Sequence, residues 1–88
     1  MAKIEIYTTT YCGYCVQAKS FLKSKGLPFT EIDVTGDDAA RHALVEKSGG
    51  RRTVPQIFIN DEAIGGYTDL VALDRNGKLE SLLAVAGG

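Results

Sequence analysis

The chain predicts an α/β fold in which a four-stranded mixed sheet is flanked by helices. Three observations predict it. Strand-patterned and helix-patterned runs follow in the order βαβ, helix, ββ, helix or helices. The opening βαβ is expected to pair its strands in parallel through a right-handed crossover. The last two strand runs, separated by Asn60-Asp61-Glu62, read as an antiparallel hairpin, which makes the sheet mixed. The 88 residues give room for one domain, 1–88, with one modest core.

The elements follow in order. Lys3 to Thr8 alternates, with Ile4 and Ile6 on one face, and reads as β. From Cys12 the pattern turns helical: Cys15, Ala18 and Leu22 share a face with Phe21 beside them, while Lys19, Lys23 and Lys25 point elsewhere. Gly26 stops that helix and Pro28 prevents its continuation. Phe29 to Val34 is the second strand. Thr35-Gly36-Asp37-Asp38 turns and caps a helix from Ala39 to Lys47, which Gly49-Gly50 ends. Gln56 to Asn60 and the short Ala63-Ile64 complete the sheet. Thr68 or Asp69 caps a helix through Leu73, Asn76-Gly77 breaks it, and Leu79, Leu82 and Leu83 mark a last helix before a fraying Gly87-Gly88.

Composition removes several classes of function. Lys and Arg number 10 against 11 Asp and Glu, so no field of one sign is available to draw nucleic acid. No apolar stretch approaches the ~20 residues of a membrane span, and the N-terminus lacks a charged-then-apolar export signal. Two cysteines in one short motif are not a disulfide framework, and a cytoplasmic location is expected.

Those cysteines carry the chemistry. Thr10-Tyr11-Cys12-Gly13-Tyr14-Cys15 falls where the first strand gives way to the first helix, at the C-terminal end of the strand. The first helical turn has backbone N–H groups without internal partners and a positive dipole. A thiol there ionises easily, and the thiolate is the nucleophile. Cys12 is expected to be exposed at the helix start, and Cys15, almost a turn further in, to be more buried and less ionised. Zinc needs four ligands. No second C-x-x-C is present, and the one histidine, His42, lies on another predicted helix and reads as solvated. The pair therefore reads as a site of thiol–disulfide exchange.

Three motifs together resemble the glutaredoxins: Ile6-Tyr7-Thr8 before Cys12-Gly13-Tyr14-Cys15; Thr53-Val54-Pro55-Gln56-Ile57-Phe58-Ile59; and Ile64-Gly65-Gly66-Tyr67-Thr68-Asp69-Leu70. The resemblance covers nearly the whole chain. It implies a thioredoxin-type fold, one glutaredoxin domain, and reduction of protein–glutathione mixed disulfides and protein disulfides at the expense of glutathione. By resemblance, Cys12 is the nucleophile and Cys15 the resolving thiol. Tyr14, Thr53, Val54, Pro55, Gly66, Tyr67, Thr68 and Asp69 bind glutathione. Pro55 is cis and faces the cysteines, leaving the Val54 backbone to pair with an extended peptide. The amides that open the next helix hold the γ-glutamyl carboxylate, and Asp69 is placed for its ammonium. Arg41, Arg51 and Arg52 are candidates for the glycine carboxylate, with Arg41 best placed by counting back from Ser48-Gly49. The partners implied are glutathione and glutathionylated or disulfide-bonded proteins, with no nucleic acid and no membrane.

Four features depart from the family pattern. Gly13 stands where many members have proline, and Thr9 where many have lysine. The Ser48–Thr53 loop is one residue longer than usual, and Tyr67-Thr68 replaces the more common Cys or Ser and Asp or Ser. Gly13 keeps a second class of function open. Some glutaredoxins with a small residue there hold a [2Fe–2S] cluster as a homodimer, ligated by Cys12 of each chain and two glutathione thiolates; otherwise the chain is expected to be a monomer. One chain cannot supply the four thiolates such a cluster needs. A third reading is a dithiol reductant fed by a flavoprotein without glutathione.

Overall fold

The computed structural model describes residues 3–10, 12–51 and 53–85, with the side chains of 84 and 85 left aside. Tyr11, Arg52 and the Gly87-Gly88 end lie outside the described residues. The elements are β1 (Ile4–Thr8), α1 (Gly13–Ser24), β2 (Thr30–Asp33), α2 (Asp38–Lys47), β3 (Gln56–Ile59), β4 (Glu62–Gly65), α3 (Tyr67–Arg75) and α4 (Lys78–Val85). The sheet order is β2-β1-β3-β4. β1 pairs with β2 in parallel and with β3 antiparallel, and β3 pairs antiparallel with β4, so the sheet is mixed as the sequence implies.

Register divides the side chains between two cores. Ile4 stands opposite Ile59 and Ile6 opposite Ile57. These four pack with Ala18 and Leu22 of α1, Leu70 of α3 and Leu79 of α4. The alternate residues, Tyr7 and Phe58, form a second cluster with Val34 and Leu44 of α2. Their rings meet edge to face at 5.4 Å. Every residue of β3 is buried, as expected for a strand between two neighbours with helices over both faces.

Local chemistry sets the ends. Asp37 caps α2 through its carboxylate, which accepts the Ala40 N–H at 3.0 Å. Asn60 and Asp61 have φ of 54° and 67°, the left-handed pair that a two-residue hairpin turn requires. α3 differs from the sequence expectation: its cap is Gly66, and it runs to Arg75. Asp69 lies inside the first turn, where its carboxylate reaches back to accept the Gly66 N–H at 2.9 Å. The side chain that reads as a cap therefore satisfies the start of the helix from its third position, and Thr68 is a first-turn residue.

Candidate active site

The end of β1 is pinned before the chain reaches Cys12. Val34 N–H donates to the Thr8 carbonyl at 2.9 Å, and Thr10 N–H donates to Thr35 Oγ1 at 2.9 Å. Cys12 then takes an extended conformation as the N-cap of α1. Its sulfur does what a capping oxygen does elsewhere: it accepts the Cys15 N–H at 3.2 Å. The thiol donates to the Val54 carbonyl at 3.6 Å. No acidic residue stands in the first turn of α1 to oppose a thiolate there.

Cys12 is half-buried, whereas Cys15 is 1% exposed. Both are free thiols. Burial pushes the Cys15 thiol up to about 12, helped by its side-chain hydrogen bond with Cys12, while the Thr9 backbone and the Lys19 ammonium pull it down. One helical turn thus separates an accessible sulfur held by an amide from a buried sulfur that keeps its proton.

Beside Cys12 lies a cleft of about 340 Å³, lined by Tyr14, Arg51, Thr53, Val54, Pro55, Gln56, Gly66, Tyr67, Thr68 and Asp69. The Val54–Pro55 peptide is cis. Tyr14 and Tyr67 form one wall, their rings 6.4 Å apart. Tyr67 also opens α3, whose N-terminus lines the cleft and is suited to a carboxylate. Gly65 permits that turn: its φ is +116°, and a Cβ there would overlap the Asp69 carboxylate and the Arg51 guanidinium.

Of the residues expected to bind glutathione, Tyr14, Thr53, Val54, Pro55, Gly66, Tyr67, Thr68 and Asp69 line this cleft, and Arg52 lies outside the described residues. Arg41 does not reach the cleft. It stands in α2 with Asp38, His42 and Val45 around a separate depression, and α2 packs on the Tyr7–Phe58 core. The arginine that does line the cleft is Arg51, from the loop between α2 and β3. Gln56, quoted in the second motif without a role, also lines the cleft. Its Nε2 donates to the Thr53 carbonyl at 2.9 Å and to Thr53 Oγ1 at 3.1 Å, holding the turn before Pro55. Its burial, at 2% exposed, is a tertiary fact that no local pattern announces. His42 is exposed and paired with Glu46 at 3.2 Å, away from the cysteines.

The glutaredoxin family model matches residues 4–64. A probable glutaredoxin of Synechocystis is 52% identical over 83 residues, covering 94% of this chain and 76% of that protein. Glutaredoxin 3 of Escherichia coli K12 is 51% identical, covering 94% of this chain and 99% of that protein. The crystal structure of a buckwheat glutaredoxin–glutathione complex superposes with a TM-score of 0.86 at 32% identity, covering 98% of this chain and 80% of that one. With its sheet order and its cysteine pair at the start of α1, the chain belongs to the glutaredoxin family, thiol–disulfide oxidoreductases of thioredoxin-type fold.

Proposed function

We propose that the protein reduces protein–glutathione mixed disulfides and protein disulfides at the expense of glutathione. One observation carries this reading: Cys12 Sγ sits between the Cys15 N–H and the Val54 carbonyl, at the edge of a cleft that ends on the α3 N-terminus. The cleft suits an extended peptide whose zwitterionic head meets the α3 amides and Asp69. The kinship with a glutaredoxin crystallised with glutathione supports the same ligand.

In the mixed-disulfide reaction, the Cys12 thiolate attacks the glutathione sulfur. The disulfide bond breaks, the protein thiolate leaves and takes a proton, and Cys12 is left joined to glutathione. A second glutathione thiolate attacks the bound glutathione sulfur, forming glutathione disulfide and restoring Cys12. Cys15 is not needed. For a protein disulfide, the Cys12 thiolate attacks one protein sulfur, the protein S–S bond breaks and the other sulfur leaves as the first thiolate and takes a proton; Cys15 must then lose its own proton to attack Cys12. That step expels the second protein thiolate and leaves a Cys12–Cys15 disulfide, which two glutathiones reduce. Once Cys12 carries a disulfide, its charge and its hydrogen bond no longer hold the Cys15 thiol up, while burial, the larger cause, still does.

Both variants test this with a glutathionylated protein and with a disulfide protein. Cys15→Ser keeps the first activity and loses most of the second; Cys12→Ser loses both. Substantial deglutathionylation by Cys12→Ser overturns the assignment.

A second use of the same thiol is favoured at Gly13, where a Cβ would meet nothing within 4 Å. We propose that this open flank admits a second copy beside Cys12, so that a [2Fe–2S] cluster is shared by two Cys12 and two glutathione thiolates. On this reading each chain contributes Cys12, and glutathione supplies the other two of the four thiolates. Anaerobic reconstitution with iron, sulfide and glutathione yields a coloured dimer on this reading; a colourless monomer overturns it.

A further inference from the structure

The loop between α2 and β3 holds an arginine across the mouth of α3. Gly49 and Gly50, at φ +77° and +104°, turn the chain out of α2. The Ser48 hydroxyl then grips Arg51 from both sides, accepting its N–H at 3.1 Å and donating to its carbonyl at 3.1 Å. Ser48 is 9% exposed, so the base of Arg51 is anchored in packed structure. The side chain runs over Gly65, where a Cβ would lie 2.6 Å from Nη1. Its tip stands 3.9 Å from Asp69 Oδ2, the same oxygen that caps Gly66. Among the described residues Asp69 is the one acid lining the cleft, and a cation of the chain itself already faces it.

We propose that Arg51 is a built-in competitor for Asp69: its guanidinium stands where the α-ammonium of a zwitterionic ligand must come, and this sets how strongly the cleft prefers a ligand with a free α-amino group. The inference rests on the glutathione reading above. The contact is suited to displacement. At 3.9 Å it is an ion pair without a hydrogen bond, and both side chains are more than half exposed. The guanidinium can swing aside while Ser48 keeps the loop in place. An arriving ammonium must replace Arg51 before it gains Asp69, so the amino group contributes less to binding than an unopposed carboxylate would allow.

The test compares S-methylglutathione, which cannot exchange disulfides, with its analogue bearing glutaryl in place of γ-glutamyl. The ratio of their dissociation constants measures the preference for the amino group. Arg51→Ala and Arg51→Gln are each expected to raise that ratio about two- to fivefold, the range of an exposed ion pair. The rise is expected to vanish in an Asp69→Asn background. An unchanged or lowered ratio in both Arg51 variants overturns the proposal. So does a rise that persists without the Asp69 charge, which marks general charge repulsion. If neither ligand binds the parent chain or the variants, the glutathione reading fails, and this inference falls with it.

Discussion

The Cys15 N–H donates to Cys12 Sγ at 3.2 Å, so the residue that supplies the buried thiol also steadies the half-buried one through its backbone. The division survives side-chain substitution at Cys15, because the donor is an amide. It also predicts unequal reactivity. With burial holding its pKa up at about 12, the Cys15 thiol keeps its proton at pH 7. In reduced protein, iodoacetamide at neutral pH is expected to modify Cys12 and leave Cys15 intact, as read by peptide mass mapping. Equal labelling of native protein would contradict the arrangement.

Cys15 also imposes a pH window on stability. Its folded pKa, about 12, lies above the ordinary thiol value of 9.0. Below 9 both folded and unfolded chains hold the proton, and the contribution of the thiol to stability is complete. Above 9 the unfolded chain releases the proton and the folded chain keeps it. The unfolded state then binds fewer protons, and stability falls as pH rises until the folded thiol ionises in turn. Urea unfolding of the reduced protein is expected to show this loss from about pH 9 towards 12, at up to about 1 kcal/mol per pH unit. Cys15→Ala should lack that component. Lys19 and Lys47, whose ammonium groups are also held above their ordinary value, lose stability in the same direction in both proteins.

The order of elements was legible because each carries a local signal. Ile4 and Ile6 alternate, Cys15, Ala18 and Leu22 recur at helical spacing, and Gly26, Pro28 and Asn60-Asp61 punctuate the chain. The burial of Cys15 followed from its place on that helical face. What sequence could not deliver depends on distance across the fold. Counting residues favours Arg41 over Arg51, yet the cleft is reached from the loop, since Ser48 grips Arg51 and α2 faces the other core. The cap of α3 is hidden from sequence because Gly66 has no capping side chain, and only the folded turn shows Asp69 reaching back to it.

Gly65 and Gly13 are expected to respond oppositely to alanine. At Gly65 the backbone is left-handed and the space is filled by Asp69 and Arg51. Gly65→Ala should cost about 1–3 kcal/mol from backbone strain alone, and it should weaken ligand binding by shifting the α3 N-terminus. At Gly13 a Cβ meets nothing within 4 Å and φ is ordinary. Gly13→Ala should stay within about 0.5 kcal/mol of the parent, or gain slightly from the lower helix cost of alanine. Paired denaturant curves decide the matter: similar losses at both sites would mean that the turn before α3 tolerates a side chain.

Beneath the cysteines, three elements meet at Glu31. Thr8 Oγ1 donates to Glu31 Oε2 at 2.7 Å, and Lys19 Nζ stands 2.9 Å from the same oxygen. The Lys19 and Thr8 hydrogen bonds hold the Glu31 carboxyl below its ordinary 4.5. Its contribution to stability is therefore present above pH 4.5 and is lost as pH falls through the depressed folded value. The carboxylate is 38% exposed, so solvent screening limits that contribution to at most about 1 kcal/mol. Lys19 is one turn beyond Cys15 on α1, and its charge draws the Cys15 thiol down. Glu31 in turn orients that charge. Lys19→Met should raise the Cys15 pKa further and slow closure of the Cys12–Cys15 disulfide. Deglutathionylation, which uses Cys12 alone, should be preserved. Stopped-flow closure rates against pH separate the two effects: the lysine variant should shift its profile to higher pH, whereas a merely structural defect would lower the rate at every pH without moving the midpoint.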